Sequence, residues 1–293
     1  MYFVSAGCSY SQVPNTDTTW PVHVQEAFNL DDDHVRHLGI GAIGNEMISK
    51  IVIYNVNDLL KTHKPEDLLV GIMWSGCDRR VITLRESKRV YEKATKIIQP
   101  ESYDEIEKDR IYRSSKRNEY RTPINLACNE FNYYTLNAHW EDELTLKYYN
   151  DFVDPLNSVM QTCEHMLRVE WFLKMHNIKY FMCAYDFDTF FYAGVHGGVC
   201  HLYDEDSPAV NANSNNYNPL EHPDVKYLYD MIDRTYWLPI TDLGDWARNV
   251  SKYDYRDPDH DPHPSTEQHK DFTHRIILPF IEKMYGISPA KLP

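Results

Sequence analysis

Apolar positions in this chain fall into short runs and helical stripes that take turns along its length. Met1–Ala6 is a brief apolar, β-prone run that stops at Gly7-Cys8-Ser9-Tyr10-Ser11. After a polar loop, Pro21 suits the first turn of a helix. Val22, Val24, Ala27, Phe28 and Leu30 follow at helical spacing until Asp31-Asp32-Asp33. The stretch from His34 to Ile40 alternates like a short second strand and breaks at Gly39, Gly41 and Gly44. A helix is then predicted from Asn45 to about Thr62, with Met47, Ile48, Ile51, Val52, Val56, Leu59 and Leu60 on its apolar side. Leu68–Trp74 is a continuous apolar run, the pattern of a strand covered on both faces. This β-α-β-α-β succession is the signature of a doubly wound parallel sheet.

The rhythm breaks between about residues 90 and 150, a stretch rich in Lys, Glu, Tyr and Asn that reads as an insertion over the carboxyl edge of the sheet. Its frequent aromatic residues argue against a disordered linker. A long helix follows from about Leu156 to His176, ended by Asn177, and Ile178–Ala184 supplies a fourth strand. A second irregular stretch runs to Pro223, and helices are predicted over Asp224–Trp237 and Leu243–Val250. The last helix begins after Pro264, where Ser265 and Gln268 have the spacing of a capping box. Phe272, Ile276, Ile277, Phe280 and Ile281 form its inner face. The expectation is one α/β domain over residues 1–293, a three-layer, mainly parallel doubly wound sheet with insertions at about 90–150 and 187–223.

Composition narrows the class. The hydrophobic share of 42% can fill a sizeable core, and the 22 tyrosines suit either a large core or a contact surface. A formal charge of −14 argues against a nucleic-acid partner, because a phosphate backbone asks for a basic face. No apolar run approaches the roughly 20 residues of a membrane span, so no membrane partner is expected. The N-terminus has no basic segment before an apolar one and reads as a strand rather than a signal peptide. The six cysteines are scattered without a CxxC pair and several lie in apolar runs, so reduced, buried thiols in a cytoplasmic protein are expected.

Four short blocks carry the candidate chemistry. Gly7-Cys8-Ser9 sets a hydroxyl at a strand end, where Ser is either a turn residue or a nucleophile. Gly39-Ile-Gly-Ala-Ile-Gly44-Asn45-Glu46 links a strand to a helix, with glycines that match neither the dinucleotide fingerprint nor the P-loop. Trp74-Ser75-Gly76-Cys77-Asp78-Arg79-Arg80 follows the third strand. Asp261-Pro262-His263-Pro264-Ser265 opens the last helix. Asp257, Asp259, His260, Asp261 and His263, with His196 and His201, could also ligate a metal, but no pair of histidines has the helical i, i+4 spacing of zinc proteases.

These blocks resemble those of the SGNH (GDSL-like) hydrolases, whose first block is Gly-Asp-Ser and whose last is Asp-x-x-His. The resemblance is spread over nearly the whole chain and implies a flavodoxin-like SGNH fold. It implies Ser9 as nucleophile, His263 as general base and Asp261 as its carboxylate, although that carboxylate stands two residues before the histidine rather than three; Asp259 is the other choice. It implies oxyanion donors at the N–H of Ser9 and of Ala42, or of Gly41 or Gly44 if the loop is shifted. Two departures stand out. Cys8 replaces the family's Asp, and no Asn follows the third strand, so Ser75, Arg79 or Asn45 is left to point inward. Arg79 would suit an anionic group on the substrate.

The implied activity is a serine esterase or deacylase acting on small-molecule or glycan esters, with no cofactor. The alternative is a binding or structural protein on the same scaffold with a degenerate site, which the missing Asn and the shifted Asp favour. The Gly-Cys-Ser start, Trp-Ser third block and Asp-x-His-Pro end also look similar to proteins of phage and marine bacterial genomes. A virus-encoded origin would make the location the host cytoplasm or the virion.

Overall fold

The computed structural model describes residues 1–13, 18–84, 132–137, 148–149, 151–186, 189–190, 220, 222–254 and 263–289. Most of both expected insertions, 90–150 and 187–223, lies outside them.

Four strands form one parallel sheet: β1 (Tyr2–Ala6), β2 (Val35–His37), β3 (Leu68–Trp74) and a strand at Lys179–Ala184, in the order β2-β1-β3 and then that last strand. Every residue of β1 and β3 is buried, which is why their apolar runs do not alternate. This is an α/β architecture compatible with a flavodoxin-like fold. Between β3 and the fourth parallel strand lies an antiparallel hairpin of β4 (Arg79–Leu84) and β5 (Asn132–Asn137), absent from the sequence expectation. The Lys179–Ala184 strand is therefore β6.

Helices cover both faces. They are α1 (Trp20–Ala27), α2 (Asn45–Leu59), α3 (Pro155–Met175), α4 (Pro223–Met231), α5 (Leu243–Asn249), α6 (Thr266–Phe272) and α7 (Leu278–Tyr285). Right-handed crossovers send α1 to one face and α2 and α3 to the other. The packing agrees: α2 lies on α3, which meets α4, while α1 lies on α6. Trp20 of α1 is wholly buried and packs its ring against Phe3 of β1 and Phe181 of β6.

Element ends have readable causes. Asn29 and Asn177 adopt positive φ (50° and 56°) just past α1 and α3, the left-handed geometry that Asn tolerates as a helix stop. The Asp224–Trp237 helix is shorter than expected, because α4 stops at Met231. Asp233 there accepts the Thr235 N–H, pairs with Lys174 at 2.7 Å and gives its own N–H to Glu170. That tether turns the chain so that Trp237 bridges Met182 and the Leu238 N–H reaches the Met182 carbonyl, extending the sheet edge. The terminal helix is also interrupted, by a π-helical segment at Thr273–Ile277. Pro279 has no N–H for the carbonyl four residues back and would clash with it, so the wider turn accommodates the ring.

The start of α6 is the capping box expected from Ser265 and Gln268. Gln268 does more than cap. Wholly buried, it accepts the Ser265 N–H at 3.0 Å and donates to the carbonyls of Ala247 (2.9 Å) and Tyr253 (2.8 Å). It thus ties the segment after α5 to the turn that carries His263. Gln268→Ala should lower unfolding free energy by about 2–4 kcal/mol, since it leaves buried carbonyls without donors. Urea unfolding checks this, and a loss below about 1 kcal/mol would contradict the tie.

Four cysteines, Cys8, Cys77, Cys163 and Cys183, are buried and free, while Cys128 and Cys200 lie outside the described residues. No helix among the described residues is long and apolar enough to cross a membrane.

Candidate active site

Because all four strands of the main sheet run the same way, the segments after β1, β2, β3 and β6 gather at one edge. Sheet order reverses direction at β1, whose neighbours β2 and β3 are reached on opposite sides. The crevice there is where open α/β sheets bind ligands. Gly7 leaves β1 with φ of 157°, and a Cβ there would meet the Met73 carbonyl at 2.7 Å. The chain then folds into a 3-10 turn, Ser9–Ser11.

That turn is braced on several sides. The wholly buried Ser11 hydroxyl accepts the Trp20 indole N–H at 2.9 Å, and Thr19 Oγ1 donates to the Gln12 carbonyl. The β2 loop lies directly against it: a Cβ on Gly39 would stand 2.0 Å from the Ser11 carbonyl oxygen, so only glycine permits the approach. The Ile40 N–H closes the contact on the Gly7 carbonyl at 2.9 Å. The Thr18 N–H reaches the Thr266 hydroxyl at 3.1 Å, linking this first loop to the helix that follows His263.

The outcome is a contact across 254 positions of sequence. Ser9 Oγ lies 2.7 Å from His263 Nε2, with both residues half-buried. With a neutral imidazole protonated on Nδ1, the hydroxyl donates and Nε2 accepts. A hydroxyl held this way can pass its proton to the ring as it attacks an electrophile.

The other expected site residues fall as follows. Ala42 sits in the β2–α2 loop with φ of 59°, the left-handed region where a non-glycine residue is strained and where glycine would be at ease. Gly41 and Gly44 flank it in the same loop. Asn45 opens α2 but is not turned to the crevice. Its Nδ2 donates to the Ser75 carbonyl (2.8 Å) and Thr162 Oγ1 (3.2 Å), and its Oδ1 accepts the Ser75 N–H (2.7 Å). Both amide hydrogens are thereby engaged in holding the β3 exit against α3, which leaves none for an oxyanion. Ser75 is wholly buried and accepts Arg79 Nη1 on its hydroxyl at 2.9 Å, so it serves as an internal tie rather than a substrate contact. Arg79 also donates through Nη2 to the Tyr185 hydroxyl at 2.7 Å. Asp261 and Asp259 lie outside the described residues, as do Asp257, His260, His196 and His201 of the metal alternative. Cys8, where the family resemblance leads one to expect Asp, is wholly buried.

Comparison with protein-family models, curated proteins and solved structures finds no match for this chain. The functional reading therefore rests on the residues themselves.

Two residues that sequence reasoning missed border the Ser9–His263 pair. Tyr10 packs its ring 5.0 Å from the His263 ring, and Tyr185, just past β6, lies edge-on to Tyr10 at 5.0 Å. The His269 ring lies 6.5 Å from that of Tyr10. His269 is 1% exposed, and among the described residues its Nδ1 has no hydrogen-bond partner. Burial, with help from His23 and His263, lowers its pKa to about 3 and keeps it neutral. Asp242, 2% exposed, caps α5 through the Asp245 N–H, and burial raises its carboxyl to about 6.

Proposed function

We propose that this protein is a serine hydrolase of the SGNH kind that cleaves acyl esters, with Ser9 as nucleophile and His263 as general base. The 2.7 Å contact between Ser9 Oγ and His263 Nε2 carries the reading, because it joins the two ends of the chain at the sheet edge where ligands bind. Ser9 Oγ attacks the acyl carbonyl while its proton passes to Nε2. The negative charge that develops on the carbonyl oxygen is held by backbone N–H groups of Ser9 and Ala42. His263 returns the proton to the leaving alkoxide, which frees the alcohol and leaves an acyl group on Ser9. Water, deprotonated by the same imidazole, then attacks that ester and releases the acid. Asp261 is the carboxylate assigned to hold the imidazole tautomer and to stabilise the imidazolium.

Substrates in this reading are small-molecule or glycan esters, O-acetyl sugars among them, and the chemistry needs no cofactor. The four buried free thiols support folding in a reducing cytoplasm, that of a host if the chain is phage-encoded. One observation favours the second reading, a ligand-binding or structural protein: the Asn45 amide is engaged with Ser75 and Thr162, so backbone donors alone would serve the oxyanion.

Turnover of p-nitrophenyl acetate and of O-acetylated sugars tests the proposal. The hydrolase reading expects release of nitrophenol or acetate that Ser9→Ala abolishes. Absence of turnover on both substrate classes would leave the binding reading in its place.

A further inference from the structure

The Ser9–His263 hydrogen bond meets the imidazole at its Nε2 atom. Proton transfer requires that the ring keep its orientation at that contact. Tyr10 supplies a wall against reorientation. It is 4% exposed, follows Ser9 in the same 3-10 turn, and presents its ring to His263 at a tilt of 44°. Nucleophile and wall therefore move together.

Tyr10 is itself held by a second ring. Tyr185, 5% exposed, stands edge-on to it at 83°. The Tyr185 backbone is anchored at both ends, its N–H on the Trp74 carbonyl (3.0 Å) and its carbonyl on the Gly244 N–H (2.8 Å). Its hydroxyl accepts from Arg79 at 2.7 Å, and the Arg79 guanidinium lies over its ring at 4.7 Å. Ser75 fixes Arg79 from the other side at 2.9 Å. Residues from the ends of β1, β3 and β6 and the start of β4 thus form one connected set that ends on the Tyr10 ring.

We infer that Tyr10 is a positioning residue for His263, a wall buttressed by Tyr185 and Arg79 that holds the imidazole plane for exchange with Ser9. This rests on the hydrolase reading for its role, though not for its geometry. The ring carries the effect and the hydroxyl does not, so phenylalanine should replace tyrosine and an aliphatic side chain should not.

The test compares Tyr10→Leu, Tyr10→Phe and Tyr185→Leu with the parent by kcat and KM on p-nitrophenyl acetate. It adds side-chain NMR relaxation of the His263 ring, assigned against His263→Gln. Tyr10→Leu should lower kcat by about 10- to 100-fold with KM within about twofold, as expected for a misplaced catalytic group. The His263 ring should become mobile in Tyr10→Leu, and Tyr10→Phe should restore both rate and order. Unchanged ring order in Tyr10→Leu, or equal damage from Tyr10→Phe, would overturn the inference. If Tyr10→Leu does not fold, Tyr185→Leu takes its place, and unchanged ring order there overturns it equally. If the parent hydrolyses nothing, the hydrolase reading fails, while the relaxation measurement still decides whether Tyr10 orders His263.

Discussion

Ser9→Ala and His263→Ala should each lower kcat on p-nitrophenyl acetate by about 10⁴-fold or more, and the double variant should be no more than about tenfold worse than either. The near-identity follows from the 2.7 Å contact. Without His263 nothing takes the proton from Ser9, and without Ser9 the imidazole has no nucleophile to activate. Losses that multiplied would mean that the two groups act separately. Asp261→Asn should cost less than either if Asp259 can take its place, and about as much if it cannot. Both single variants remove half-buried side chains, so stability should change little.

Acid should destabilise the fold well above the ordinary carboxylate range. Burial, the leading cause in each case, lowers the pKa of His37 and His165 to about 4 and of His269 to about 3, from 6.5. A depressed folded value means that the unfolded chain binds protons first. The stability these rings contribute is therefore complete above pH 6.5 and is lost as pH falls toward their folded values. Asp242 acts in the opposite sense, because its carboxyl is raised from 3.8 to about 6 and the folded state holds that proton until pH passes 6. Among these four groups the balance near pH 5 is three protons against one, so together they take up about two on unfolding. His37 and His165 are only half-buried, which weakens their share, so His269 is the largest single contributor. Urea unfolding should show a loss of about 1–3 kcal/mol between pH 7 and pH 5. His269→Leu, which also removes a buried nitrogen without a partner among the described residues, should flatten that dependence by about one proton. An equal slope in parent and variant would place the sensitivity elsewhere.

The sheet was legible because its strands announce themselves. Met1–Ala6, Leu68–Trp74 and Ile178–Ala184 are runs too short for helices and too apolar for exposed strands, and β1, β3 and β6 lie within them. The capping box was equally plain, since Ser265 and Gln268 act through local spacing. What failed was whatever depended on distant partners. Helical periodicity continues past Met231, yet Asp233 turns the chain there through Lys174 and Glu170, some sixty positions away. The π segment answers to Pro279, whose clash is local but whose relief depends on how the helix packs.

The same division holds at the site. Ser9 and His263 could be paired because each sits in a block with recognisable neighbours. Asn45 had the right chemistry and position in its loop, but its amide faces Ser75 and Thr162, a fact that only the packing of α2 against β3 and α3 decides. Tyr10 and Tyr185 drew no notice among 22 tyrosines, because nothing in the sequence marks two rings 175 positions apart as neighbours.

Covalent labelling of the nucleophile tests the central claim most directly. A fluorophosphonate should form one adduct per chain, mass spectrometry should place it on Ser9, and His263→Ala should abolish it at matched concentration and time. An unlabelled Ser9 in the folded parent protein, or equal labelling with and without His263, would contradict the account.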